Sequence, residues 1–169
     1  MIRLATLRTL ALAAALAACD KTPANVPLPQ EISESSTAQF CGMLLTEHGG
    51  PKGQVFVRDQ SKPLWFASVR DTIAFLRLPE MPKDVVVVYV NDMGRARNWQ
   101  RPEPGTWVDA QRALYVIGSG RTSGMGTQEA MPFAERSAAQ QFAAVHGGHV
   151  VALADIPDSY IFADNGGGS

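Results

Sequence analysis

Leu64-Trp65-Phe66-Ala67-Ser68-Val69-Arg70-Asp71-Thr72-Ile73-Ala74-Phe75-Leu76 changes its period part-way along. Its first three residues have the bulk of a short strand, whereas from Ser68 onward the apolar groups recur at helical spacing. Ser68 is placed to cap that helix, and Pro79 stands just beyond its end. Upstream, Gln54-Val55-Phe56-Val57 reads as a strand that pairs with Leu64-Trp65-Phe66 as a hairpin across the polar segment Arg58 to Lys62. Downstream, Asp84-Val85-Val86-Val87-Val88-Tyr89-Val90 is a bounded β-branched run, which argues a buried strand. The order is strand, strand, helix, strand.

That order recurs further along. Trp107 to Ala110 and Ala113-Leu114-Tyr115-Val116-Ile117 supply a strand or two, and Pro132-Phe133 leads into a helix from Ser137 to Val145 that Gly147-Gly148 stops. Val150-Val151-Ala152-Leu153 closes the unit as a strand. Phe66-Ala67 stands nine residues before Phe75, and Phe133-Ala134 stands nine before Phe142. Two copies of one unit would give this spacing, and so would two unrelated helices that each carry aromatics. Either way the expected class is α+β: two ββαβ-like units, with helices packed on mainly antiparallel strands.

The N-terminus is of another kind. Arg3 and Arg8 precede an apolar stretch, Leu10 to Ala18, which is too short for a permanent membrane helix and suits a secretory signal. Ala17 and Ala18 directly before Cys19 resemble the bacterial lipoprotein signal, in which that sulfur receives diacylglycerol. The resemblance implies that residues 1–18 are a signal peptide, that Cys19 is the lipid attachment site, and that the protein is anchored to a membrane without spanning it. Asp20 after the lipid cysteine implies retention at the cytoplasmic membrane, on its periplasmic side.

Residues 19–39 carry Pro23, Pro27 and Pro29 with Ser33, Ser35 and Ser36, so they read as a lipidated tether with nothing to pack. Residues 40–163 are long enough for one globular domain with a real core, and the glycine-rich residues 164–169 read as a flexible tail. Two of the fifteen Lys and Arg lie in the signal, which leaves thirteen basic against sixteen acidic side chains. No cluster of basic residues offsets that balance, so nucleic-acid binding has no support.

With Cys19 acylated, Cys41 is the single free thiol in an oxidising compartment, where an unpaired cysteine needs a purpose. Cys41-Gly42-Met43 offers one. Thiolate and thioether are soft donors that favour Cu(I) over hard ions such as Mg or Ca, and Gly42 permits a bend that lets both sulfurs converge on one ion. Metal binding would also stabilise the thiolate and make affinity pH-dependent.

Further blocks follow in order: Glu47-His48-Gly49-Gly50-Pro51-Lys52-Gly53-Gln54, then Leu64 to Asp71, then Tyr89-Val90-Asn91-Asp92-Met93-Gly94, then Gly124-Met125-Gly126 with Pro132-Phe133. This series behind a lipoprotein signal closely resembles the nitrous oxide reductase accessory lipoprotein family, NosL, over essentially the whole mature chain. The resemblance implies a copper-binding protein associated with maturation of periplasmic nitrous oxide reductase in denitrifiers. It also implies a fold likened to the ββαβ repeats of an organomercurial lyase, and partners in the copper-assembly machinery: an ABC-type transporter and its periplasmic subunit. The family's Cys-x-Met falls on Cys41 and Met43.

Cu(I) takes two to four ligands, so at least one more donor is expected. Met93 is the first candidate, because it follows the apolar run in a polar turn where a core role is less natural. Met125, between two glycines, and His48, seven residues from Cys41, are the next. His146 and His149 flank Gly147-Gly148 after a helix, where a cation favours the C-terminus, and are read as structural. The run Gly118 to Gly124 lacks the Gly-Lys-Ser/Thr ending of a phosphate loop and reads as a flexible loop. Glu129 and Glu135 suggest no acid/base pair, and no Ser/His/Asp order stands out.

The expectation is therefore a membrane-tethered Cu(I) carrier with no catalytic turnover. Two other classes make different forecasts. A thiol enzyme would use Cys41 as a nucleophile activated by His48, with Met43 dispensable. A structural lipoprotein scaffold would work normally with Cys41→Ala.

Overall fold

β1 (Gly53–Val57) and β2 (Leu64–Phe66) pair antiparallel with Gly53 opposite Phe66 and Val55 opposite Leu64, as the hairpin reading requires. The computed structural model describes residues 26–82 and 84–163. α1 (Val69–Arg77) follows; the Ser68 hydroxyl accepts a hydrogen bond from the Asp71 amide at 3.0 Å and so caps the helix. β3 (Val85–Asn91) returns antiparallel to the other side of β1.

The second unit repeats this topology. β5 (Leu114–Ile117) lies between β6 (Met131–Phe133) and β7 (His149–Ala152), all antiparallel, and α2 (Arg136–His146) connects the last two. The strand orders are β2-β1-β3 and β6-β5-β7, so in each unit the first strand is central. The nine-residue aromatic spacing also repeats in space: Phe66 and Phe75 have ring centroids 5.0 Å apart at 52°, and Phe133 and Phe142 5.1 Å apart at 48°. Chance aromatics on two helices have no reason to share both figures. The molecule is built on a structural repeat.

Trp107 departs from expectation. β4 (Trp107–Asp109) does not serve the second unit but pairs with β3 as the outer strand of the first sheet, giving the order β2-β1-β3-β4. The reason is the edge that β3 would otherwise expose, and the tight turn after Asp109 then starts the second unit afresh at Leu114. A short helical turn, α3 (Asp158–Ile161), ends the described chain.

One core joins the units. Val55, Phe66, Val69, Ile73 and Phe75 of the first pack with Tyr115, Ile117 and Ala130 of the second, and a smaller cluster of Met93, Val116, Met131, Phe133 and Ala139 lies under α2. Each large side chain buried this way contributes about 1.5–3 kcal/mol.

The tether reading needs correction between Pro27 and Ala38. The Tyr89 hydroxyl donates to the Pro27 carbonyl, and the fully buried Gln54 amide grips the Gln30 backbone at both its N–H and its C=O. Glu31 accepts from the Gly105 amide and the Trp107 indole, while Ile32 joins a third apolar cluster with Ala38, Leu45 and Ala67. Proline and serine content is compatible with a strap, because extended backbone can be satisfied from outside by side chains of the sheet. Residues 1–25, including Cys19, and the tail 164–169 lie outside the described residues. No helix among the described residues is long and apolar enough to cross a membrane.

Candidate metal centre

Cys41 and Met43 stand at the tip of a small hairpin. Thr37 pairs with Leu44, the Ala38 amide donates to the Met43 carbonyl at 2.9 Å, and the Gly42 amide donates to the Ala38 carbonyl at 2.8 Å. Gly42 takes φ +69, the left-handed conformation that a side chain resists, so the bend expected between the two sulfur residues is present. Phe40 anchors the tip: its ring stands edge-on to Phe66 at 5.4 Å and lies 6.3 Å from Phe75. Cys41 is free and exposed, and Met43 is 46% exposed. An exposed thiol beside an exposed thioether is what a soft-ion site at a surface requires.

The glycine-rich loop after β5 is not a slack connection. Thr122 pairs with Gln128, the Ser123 amide donates to the Thr127 carbonyl, and the hydroxyls of Ser123 and Thr127 lie 2.8 Å apart. Met125 sits at the tip of this second hairpin, 45% exposed. Both hairpins are rooted at the junction of β2 and α1. The Cys41 hairpin is bridged to Trp65, and four residues beyond Met125 the buried Glu129 carboxylate accepts from the Val69 and Arg70 amides.

Met93 is elsewhere. Its amide donates to the Pro132 carbonyl, and only 9% of the residue is exposed, among Val116, Met131, Phe133 and Ala139. The Asp92 carboxylate fastens the turn by accepting from the Gly94 and Ala134 amides. The polar sequence Asn91-Asp92-Met93-Gly94 suggested an open turn; it is instead wedged between the units, where its polar atoms are satisfied and its thioether fills core.

His48 is 9% exposed, and its Nε2 is the only buried side-chain nitrogen or oxygen among the described residues without a hydrogen-bond partner. It borders a cavity of about 170 Å³ with Thr46, Lys52, Asn91, Gln100 and Trp107. Its Nε2 makes no hydrogen bond to Cys41 or to any other described residue. No three His, Cys, Asp or Glu among the described residues gather as a metal site. The exposed sulfur side chains among the described residues are those of Cys41, Met43 and Met125.

Two residues that carry no signal as ligands support these hairpins. Lys52 is buried and donates to the Gly49 and Gly50 carbonyls at 3.1 and 2.6 Å; burial pushes its ammonium down to about 8, with the Glu129 charge pulling the other way. Burial pushes the Glu129 carboxyl up to about 8, against the backbone amides of Arg70, Ala130 and Val69. Set aside as an acid/base candidate, Glu129 fastens the second unit to the start of α1.

The family model for NosL matches residues 29–161. The chain belongs to the NosL family. It is 45% identical over 159 residues to the copper-binding lipoprotein NosL of Achromobacter cycloclastes, covering 92% of this chain and 82% of that one. It is 33% identical over 133 residues to the copper-binding lipoprotein NosL of Stutzerimonas stutzeri, covering 79% and 68%. Among solved structures, the crystal structure of the copper chaperone NosL from Shewanella denitrificans superposes with a TM-score of 0.73 at 32% identity, over 78% of this chain and 97% of the other. The NosL match begins at residue 29, inside the docked strap, so the strap is part of the family's domain.

Proposed function

We propose that this member of the NosL family is a lipid-anchored carrier of Cu(I) that supplies copper for maturation of periplasmic nitrous oxide reductase. Cys41 and Met43 bind the ion, Met125 is the third sulfur, and Cys19 holds the acyl chains. The single observation that carries the reading is the pair of hairpins rooted at one helix junction, which together bear the exposed thiol and the two exposed methionines of the described region. Met125 takes the place first given to Met93, because a donor must reach the ion, and Met93 is sealed in core. His48 remains a secondary donor on the strength of its unpartnered Nε2.

A carrier must hold copper tightly yet release it. Two or three soft donors on an open surface leave coordination positions that an acceptor's ligands can enter before the donor's ligands leave. The partners are the membrane copper-assembly machinery, an ABC-type transporter and its periplasmic subunit, and the lipid keeps the carrier at that surface on the periplasmic side of the cytoplasmic membrane. Names of relatives that specify copper binding and lipid attachment support this reading. Titration of the reduced domain with Cu(I) against a competing chelator tests it: tight stoichiometric binding, lost in Cys41→Ser and weakened in Met43→Ala, is expected. Binding unaltered in both variants would remove the site.

A further inference from the structure

The turn Gly49-Gly50-Pro51 and the Met125 hairpin touch backbone to backbone. A Cβ placed on Gly124 would lie 2.4 Å from both the nitrogen and the oxygen of Gly49, far inside contact distance and against atoms that cannot swing away. Neither glycine adopts a positive φ, so what the position demands is closeness and not a special conformation. A Cβ on Gly49 would meet only the end of the Gln100 side chain, which is free to rotate. The two glycines are thus unequal.

The other side of the turn is fixed as well. The buried Lys52 ammonium donates to the carbonyls of Gly49 and Gly50, and the Gly50 amide donates to the Trp99 carbonyl. Arg121, just before the hairpin, lies over the Trp99 ring at 4.8 Å. The hairpin itself is closed by Ser123 and Thr127, so displacement of Gly124 carries Met125 with it. Close-packed contacts of this kind transmit a shift without absorbing it.

We propose that Gly124, seated on Gly49 over the Lys52 clamp, is the positioning joint that sets the Met125 thioether for copper, with Gly124 and Lys52 as positioning residues that do not touch the ion. This deepens the copper site and rests on Met125 being one of its donors. A sulfur displaced by about an ångström is a lost ligand, and a supporting residue of this kind is worth about 10–100-fold in metal affinity.

The test is Cu(I) competition on Gly124→Ala, Lys52→Met and Met125→Ala, singly and with each positioning variant combined with Met125→Ala. Thermal unfolding of each apo variant is followed in parallel. Gly124→Ala should weaken binding about tenfold, with one sulfur fewer around copper by X-ray absorption, and should have no further effect once Met125 is Ala. Lys52→Met should do the same more mildly. Gly120→Ala, whose added Cβ would meet its nearest atom at an ordinary 3.6 Å, should match wild type in folding and binding. A folded Gly124→Ala protein with wild-type affinity overturns the proposal, and so does a loss that persists undiminished in the Met125→Ala background. If Met125→Ala itself binds like wild type, the ligand assignment fails instead. Should Gly124→Ala not fold, Lys52→Met alone and combined with Met125→Ala decides on the same readouts.

Discussion

At the scale of single residues the chemistry divides four sulfurs by exposure. Cys41, Met43 and Met125 face solvent on hairpin tips, whereas Met93 is packed among apolar side chains. Met93→Leu, which nearly conserves volume, is expected to leave Cu(I) affinity unchanged and to cost less than about 1.5 kcal/mol of stability, read by chelator competition and denaturant unfolding. Met125→Ala should show the opposite pattern, weakening copper and sparing stability, because a half-exposed tip has little to lose from the core. Residue type alone made all four sulfurs candidates; burial decides among them, and a sequence hides burial wherever a polar turn is wedged between two units, as Asn91-Asp92-Met93-Gly94 is.

At the scale of elements, capping and pH linkage carry the predictions. Ser68→Ala removes the acceptor for the Asp71 amide and should cost about 1 kcal/mol, measured by the denaturant midpoint. Glu129 is buried with a carboxyl pushed up to about 8, so the folded state holds its proton over a range where the unfolded chain has released it. Its contribution therefore falls as pH rises from about 4.5 to about 8. Lys52, pushed down to about 8, acts on the other limb: between about 8 and 10.5 the folded state sheds a proton that the unfolded chain keeps, and stability is regained. Midpoints measured against pH should dip near 8, with the acid limb flattened in Glu129→Gln and the alkaline limb in Lys52→Met. The elements themselves were legible, because Ser68, Pro79, the β-branched run 85–90 and Gly147 are local signals. The placement of Trp107–Asp109 was not, since which edge a three-residue strand covers depends on β3 and Glu31, remote in sequence.

At the scale of the whole molecule, two ββαβ units share a core and a strap of residues 27–38 binds across the first sheet. Gln54→Ala deletes both bonds to the Gln30 backbone and should free the strap, so that amide exchange rises at residues 28–33 well before it rises in β1 and β3. Composition alone could not reveal the strap, because the bonds that hold it run to Gln54, Tyr89, Gly105 and Trp107, far along the chain. The aromatic spacing alone left the repeat open, and the ring geometry decides for it; Phe75→Ala and Phe142→Ala remove equivalent halves of the two ring pairs. The central claim, that exposed sulfur on two hairpins grips Cu(I), is tested most directly by copper X-ray absorption on the loaded protein. A sulfur-dominated shell that loses one neighbour in Met125→Ala and one in Met43→Ala is expected. A shell of nitrogen and oxygen, or a sulfur shell indifferent to both substitutions, would contradict it.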